Sequence, residues 1–309
     1  MKIIIALILI GYSQIFSQNF VMPSYLSYDK KLSEELYKIV NELELNKDFN
    51  VGEDGFEQIS LAVIDMSGPV PLMGGVNPDN FIYPASVYKM YVAAEVLHQI
   101  SQGKYKLSTN YVADFPNIVD RSKEILNDPR PLLKEKDTIT VNYLLDLMIT
   151  RSDNSAANCL IDIAGRKNID SLMHLNNWYG SEVTRKFLKR KYEDAGYENI
   201  RGTETNALHA ADFLYKIYNN ELINLWVSKQ LKTFLGRQLD NTKLSTGLPN
   251  NTMFYHKTGW FAYWTNDAGI VEDENVKYVV ACFIPLEQEK ALPKFKVLSE
   301  KIYQLIKNR

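Results

Sequence analysis

Cysteine and histidine are scarce in this sequence of 309 residues. Its two cysteines, Cys159 and Cys282, are too few for a disulfide framework. The first lies in an apolar helical stretch and the second in an apolar strand-like run, so two separate buried thiols are expected. The four histidines, His98, His174, His209 and His256, show no metal-ligand spacing such as H-E-x-x-H, and no metal is expected. Neither sign of charge dominates: 35 basic residues stand against 37 acidic ones, a net charge of −2. That excludes the basic excess of a nucleic-acid surface. No low-complexity tract and no repeat of solenoid period occurs. A long apolar run is also missing, since the stretch from Ile3 to Ile10 is too short to span a bilayer as a helix.

The start of the chain carries Lys2, that short run, and then Gly11, Ser13 and Ser17, the pattern of a secretory signal peptide. Residues 1–18 are expected to be removed near Ser17 or Gln18, and the rest to be exported to the periplasm or the medium without stable membrane insertion. No cysteine adjoins the apolar run, which argues against a lipoprotein anchor. With 46% apolar residues overall, residues 19–309 suffice for one large core, or for one with a second part inserted in it.

Residues 28–46 place Leu32, Leu36, Ile39, Val40 and Leu43 at helical spacing. Residues 57–65 read as a strand, Met66-Ser67-Gly68-Pro69 as a turn, and 70–73 as a returning strand. From Pro84 the pattern is mostly helical to about residue 236, with turns near Pro116, Pro129, Gly180 and Gly202. Strands return at 252–258, 266–272 and 276–284, and a helix follows at 293–307. This order predicts an α/β (α+β) fold: one antiparallel sheet made from residues 26–83 and 237–309, covered by terminal helices, with an all-helical part, 84–236, inserted. The cleft between two such parts is the expected place for a site.

Three short motifs carry chemistry. In Ser86-Val87-Tyr88-Lys89, Pro84 marks a helix start, and residues three apart share a helix face, so the Lys89 amine can reach the Ser86 hydroxyl. A serine needs a base to become a nucleophile, and a helix N-terminus adds partial positive charge beside it. The same S-x-x-K spacing at Ser27–Lys30 and Ser101–Lys104 lacks this setting. In Ser152-Asp153-Asn154 the hydroxyl can relay a proton to a leaving nitrogen, and the Asn154 amide can bind a substrate carbonyl or hold the lysine. The same triplet also suits a helix N-cap. In Lys257-Thr258-Gly259, at a strand end, a cation and a hydroxyl suit a carboxylate-bearing substrate, and Gly259 permits close backbone approach. The N–H groups of Ser86 and Trp260 are then candidates for an oxyanion hole.

The set resembles the S-x-x-K, S-D-N and K-T-G motifs of class A β-lactamases and penicillin-binding proteins. Its gaps, 66 residues from Ser86 to Ser152 and 105 from Ser152 to Lys257, are similar to the class A spacing. Ser155-Ala156-Ala157-Asn158, Val183-Thr184-Arg185 and Thr265 to Val271 extend the likeness over residues 28–307. The resemblance implies an α/β sandwich with a helical part, a small-molecule β-lactam or peptidoglycan-peptide substrate, an acyl-enzyme on Ser86, no cofactor, and a monomer. It implies Ser86, Lys89 and Ser152 as catalytic, and Asn154, Lys257, Thr258, Gly259 and Trp260 as substrate-binding.

The family's deacylation base, an omega-loop glutamate in an E-x-x-L-N setting, has no clear counterpart. Leu188-Lys189-Arg190 with Tyr192-Glu193 resembles its L-x-R-W-E with one extra residue, which makes Glu193 the candidate base, with Asp194 and Glu198 behind it. The family's arginine for the substrate carboxylate is also missing. Asp267 stands where some members place it, and Lys243 is a candidate substitute. Three readings follow: a β-lactamase, a D-alanyl-D-alanine peptidase or penicillin-binding relative that deacylates slowly, and a non-catalytic binding module. Trp260, Phe261 and Tyr263 are candidates for an aromatic rim, or for plain surface packing.

Overall fold

A computed structural model describes residues 22–189, 192, 202–274 and 276–309. The chain begins with β1 (Ser27–Tyr28) and α1 (Lys30–Glu42), where Asp29 caps the helix by accepting the Leu32 N–H at 3.0 Å. β2 (Phe49–Asn50) and β3 (Phe56–Glu57) form a small pair ahead of β4 (Ser60–Asp65) and β5 (Leu72–Val76). A 3₁₀ turn, Ala85–Tyr88, runs into α2 (Lys89–Ser101). Next come β6 (Asn110–Val112), β7 (Thr138–Thr140), α3 (Val141–Thr150), α4 (Asn154–Ala164), α5 (Arg166–Leu175), α6 (Ala207–Tyr218) and α7 (Leu225–Leu235). β8 (Met253–Phe261), β9 (Trp264–Glu272), β10 (Lys277–Ile284) and α8 (Gln288–Lys307) follow.

Both ends of the chain build one sheet, in the order β1-β5-β4-β10-β9-β8, antiparallel except for β1 on β5. Alternation along the strands divides the core. Leu61, Val63, Val280 and Cys282 pack with Leu32 and Leu36 of α1 and Phe295, Leu298 and Ile302 of α8. Ala62, Ile64, Val279 and Ala281 belong to the larger cluster that includes Phe213 of α6 and the residues of α2. The terminal helices therefore cover a sheet face as expected, and both cysteines are free, buried thiols.

Two expectations need correction. The middle of the chain is not wholly helical: β-branched Thr138-Ile139-Thr140 pairs with Asn110-Tyr111-Val112. The segment between them, residues 113–137, holds no regular element and crosses the N-terminus of α4. In addition, α8 starts before Pro293, which sits inside it, although proline usually marks a helix start. Among the described residues no helix is long and apolar enough to cross a membrane.

Candidate active site

Ser86 lies half-buried in the 3₁₀ turn, not in the helix itself. The residue before it, Ala85, has a φ of 47°, a left-handed conformation that costs a non-glycine residue about 1 kcal/mol or more. This bend presents Ser86 beside the end of β8. Gly259 is required there: a Cβ at that position would lie 2.7 Å from the Ser86 N and 2.7 Å from the Pro84 carbonyl oxygen.

Lys89 opens α2 and is fully buried. Its Nζ donates to the Ser152 carbonyl oxygen at 2.5 Å, to Asn154 Oδ1 at 2.7 Å and to Ser152 Oγ at 3.3 Å. Lys257, also fully buried, donates from β8 to the same Ser152 Oγ at 3.0 Å and to the Thr258 carbonyl oxygen at 2.8 Å. Two ammonium groups thus converge on one hydroxyl. Burial pushes Lys89 down to about 8, against the pull of Asp120, Glu124 and Asp153. Burial and repulsion from Lys89 push Lys257 down to about 7, against Glu124 and Asp240.

The triplet Ser152-Asp153-Asn154 is a helix cap and also meets the two lysines. Asp153 is the N-cap of α4, accepting the Ala156 N–H at 2.7 Å, while the residues on either side of it face the lysines. Ser152 itself takes a φ of 62°. Arg151, buried, holds Asp153 at 2.8 Å and ties the triplet to the Arg130 and Pro131 carbonyls.

The structure therefore brings Lys89, Ser152, Asn154, Lys257 and Thr258 together and runs Gly259 along the backbone of Ser86. Trp260 points outward, 45% exposed, and its indole N–H donates to Glu124 at 2.5 Å from the segment between β6 and β7. Phe261 and Tyr263 are also exposed, so this rim is aromatic. Lys243 is fully buried and its Nζ is paired with Asp240, which already compensates its charge. Asp267 accepts from His256 Nδ1 at 2.9 Å and from the Leu244 N–H at 3.1 Å inside the sheet. The expected substitute for the carboxylate-binding arginine is thus an ion-paired core lysine. Glu193, Asp194 and Glu198 lie outside the described residues.

Three residues escaped the sequence reading. Phe187 places its ring 4.4 Å from Lys89 Nζ and stacks on Tyr88 at 5.2 Å. Asn158 holds Phe187 by its backbone, accepting its N–H at 2.7 Å and donating to its carbonyl oxygen at 3.3 Å. Asp120 binds the start of α4. The only local signal was Asn158, polar within an otherwise apolar helical run.

Comparison with known proteins decides the relationship. A model of the beta-lactamase enzyme family matches residues 44–306. The chain belongs to that family. A beta-lactamase of Bacteroides uniformis is 27% identical over 216 residues, covering 64% of this chain and 69% of the relative. The extended-spectrum beta-lactamase PER-1 of Pseudomonas aeruginosa is 25% identical over 274 residues, covering 82% and 81%. Among solved structures, PBP-A superposes with a TM-score of 0.75 at 19% identity, over 94% of this chain and all of that one (100%). An ancestral class A beta-lactamase gives 0.71 at 20% identity, over 89% and 99%. This family member is a serine hydrolase of the class A type, and its fold is the class A fold.

Proposed function

We propose that Ser86 is acylated by β-lactams and by acyl-D-alanyl-D-alanine peptides, and that the acyl group leaves slowly, as in a penicillin-binding protein. Neutral Lys89 takes the Ser86 proton as Oγ bonds to the carbonyl carbon. The N–H groups of Ser86 and Trp260 receive the developing oxyanion, where one such donor contributes about 3 kcal/mol. The C–N bond breaks, Ser152 gives its proton to the leaving nitrogen, and Lys89 restores it across their 3.3 Å contact. Lys257 and Thr258 hold the substrate carboxylate. Residues 1–18 support action outside the cytoplasm.

The observation that carries slow release is the Phe187 ring, 4.4 Å from Lys89 Nζ. A base for deacylation must reach the attacking water directly or through one other water, and a phenyl ring cannot take its proton. A second reading, full β-lactamase turnover, is favoured by the relatives named beta-lactamase. It requires a carboxylate such as Glu193. A chromogenic cephalosporin mixed with purified protein separates the two, with absorbance and intact mass followed together. The expected result is a stoichiometric adduct, absent in Ser86→Ala, that persists over many minutes. Rapid steady hydrolysis without an adduct would establish the second reading.

A further inference from the structure

We propose that Asp120 is a positioning residue for acylation: it holds the Asn154 amide with its oxygen toward Lys89 and its second N–H toward the amide carbonyl of the substrate's acyl side chain. The substrate half of this inference rests on acylation of Ser86 as proposed above. Asp120 Oδ1 accepts from Asn154 Nδ2 at 3.1 Å, and Oδ2 accepts the backbone N–H groups of Asn154 and Ser155, each at 2.8 Å. Ser155 answers with its own hydroxyl oxygen, which accepts the N–H of Val119 at 2.9 Å and of Asp120 at 3.1 Å. The segment carrying Asp120 is thereby fastened to α4 from 34 residues away.

The orientation follows from chemistry alone. A carboxylate only accepts and an ammonium only donates. An amide held between Asp120 and Lys89 fits in one way: NH₂ toward Asp120, oxygen toward Lys89 Nζ at 2.7 Å. Asp120 uses one of the two amide hydrogens, and the other remains for a ligand. Both roles read for Asn154 from sequence, holding the lysine and binding a substrate carbonyl, then operate together. Without Asp120 only Lys89 orients the amide, and neutral Lys89, the form that takes the Ser86 proton, has a lone pair that can accept from the NH₂, so the amide can turn its oxygen toward the substrate carbonyl and repel it. Asp153 caps α4 through Ala156 and Asp120 Oδ2 completes the cap through Asn154 and Ser155, so the bond that capping does not call for is the one from the Asn154 side-chain amide to Oδ1.

The test compares benzylpenicillin, which has the side-chain amide, with 6-aminopenicillanic acid, which lacks it. The readout is the ratio of their second-order acylation rates. In the wild type this ratio exceeds one. It should fall about tenfold in Asp120→Asn, which keeps the shape of the cap but cannot only accept, and equally in Asn154→Ala, with no further loss in the double variant. Thermal unfolding of Asp120→Asn checks that it remains folded. Equal slowing of both penicillins would overturn the proposal and leave Asp120 a helix cap. If the wild type forms no adduct with either compound, the function proposed above fails, and the Asn154 side-chain resonances decide this inference. One Asn154 Nδ2 proton shifted downfield and protected from solvent exchange in the wild type, with both features lost in Asp120→Ala, supports it; a shift and an exchange rate unaffected by that change overturn it.

Discussion

Ser152 receives hydrogen bonds from two buried lysines, and the pH response of the site follows from those lysines. Acylation requires neutral Lys89, whose pKa burial sets at about 8, so the rate should climb as pH rises toward that value. Lys257 must stay charged to hold a carboxylate, and it loses its proton above about 7. The second-order acylation rate should therefore trace a narrow bell with its maximum between these two values. A flat profile from about pH 5 to 9 in an intact-mass series would remove Lys89 as the base. A second residue-scale prediction concerns Phe187. Its ring lies against Lys89, and Asn158 fixes its backbone. Phe187→Glu puts a carboxylate where a water can meet the acyl carbon, and adduct lifetime should shorten by about 10²- to 10⁴-fold. An unchanged lifetime would mean that water does not enter on this side.

At the scale of elements, α4 is the hub. Its first turn receives Asp120 and its second carries Asn158, which donates to the Asn117 carbonyl at 3.1 Å as well as clamping Phe187. Asn158 is fully buried, so Asn158→Ala strands the Phe187 N–H and the Asn117 carbonyl away from water. A loss of about 1–3 kcal/mol is expected in chemical denaturation, with faster proteolysis on the C-terminal side of residue 183. Retained stability would show that water replaces the amide. The same helix explains what was legible in the sequence. Asp153 as a cap is a local relation fixed by helical spacing, and Lys257-Thr258-Gly259 lies on a strand as read, inside β8 rather than at its end. These were readable. Asp120, Asn158 and Phe187 act through contacts 29 or more residues apart in sequence, which no local pattern encodes. In the segment 113–137 Pro116 and Pro129 read only as turns within a helical block, because the pairing of β6 with β7 that encloses it joins residues 26 to 30 apart. Lys243 suggested a substrate contact although its partner, Asp240, stands only three residues before it; what the sequence did not carry is that both are buried.

At the scale of the whole molecule, the cleft has two walls, α2 with α4 and β8, and they meet at the buried cluster of Lys89, Ser152 and Lys257 and again at the mouth. The contact at the mouth joins Glu124, exposed on the segment between β6 and β7, to the half-exposed Trp260. Such an exposed contact contributes little to stability, and breaking it should leave the unfolding midpoint unchanged. Its charge acts differently. Glu124 is an anion at the entrance of a site that must admit an anionic substrate, and it holds both lysine pKa values up. Glu124→Gln removes the repulsion and makes Lys89 easier to deprotonate. At about pH 6 these two effects have the same sign, since Lys257 is still charged there. The variant should acylate with benzylpenicillin several-fold faster at low ionic strength. Salt should narrow the gap between variant and wild type, because the Debye length falls from about 30 Å at 0.01 M to about 3 Å at 1 M. A gap that survives salt unchanged would assign the effect to the lost hydrogen bond with Trp260. Trp260→Phe would then reproduce it with Glu124 still in place.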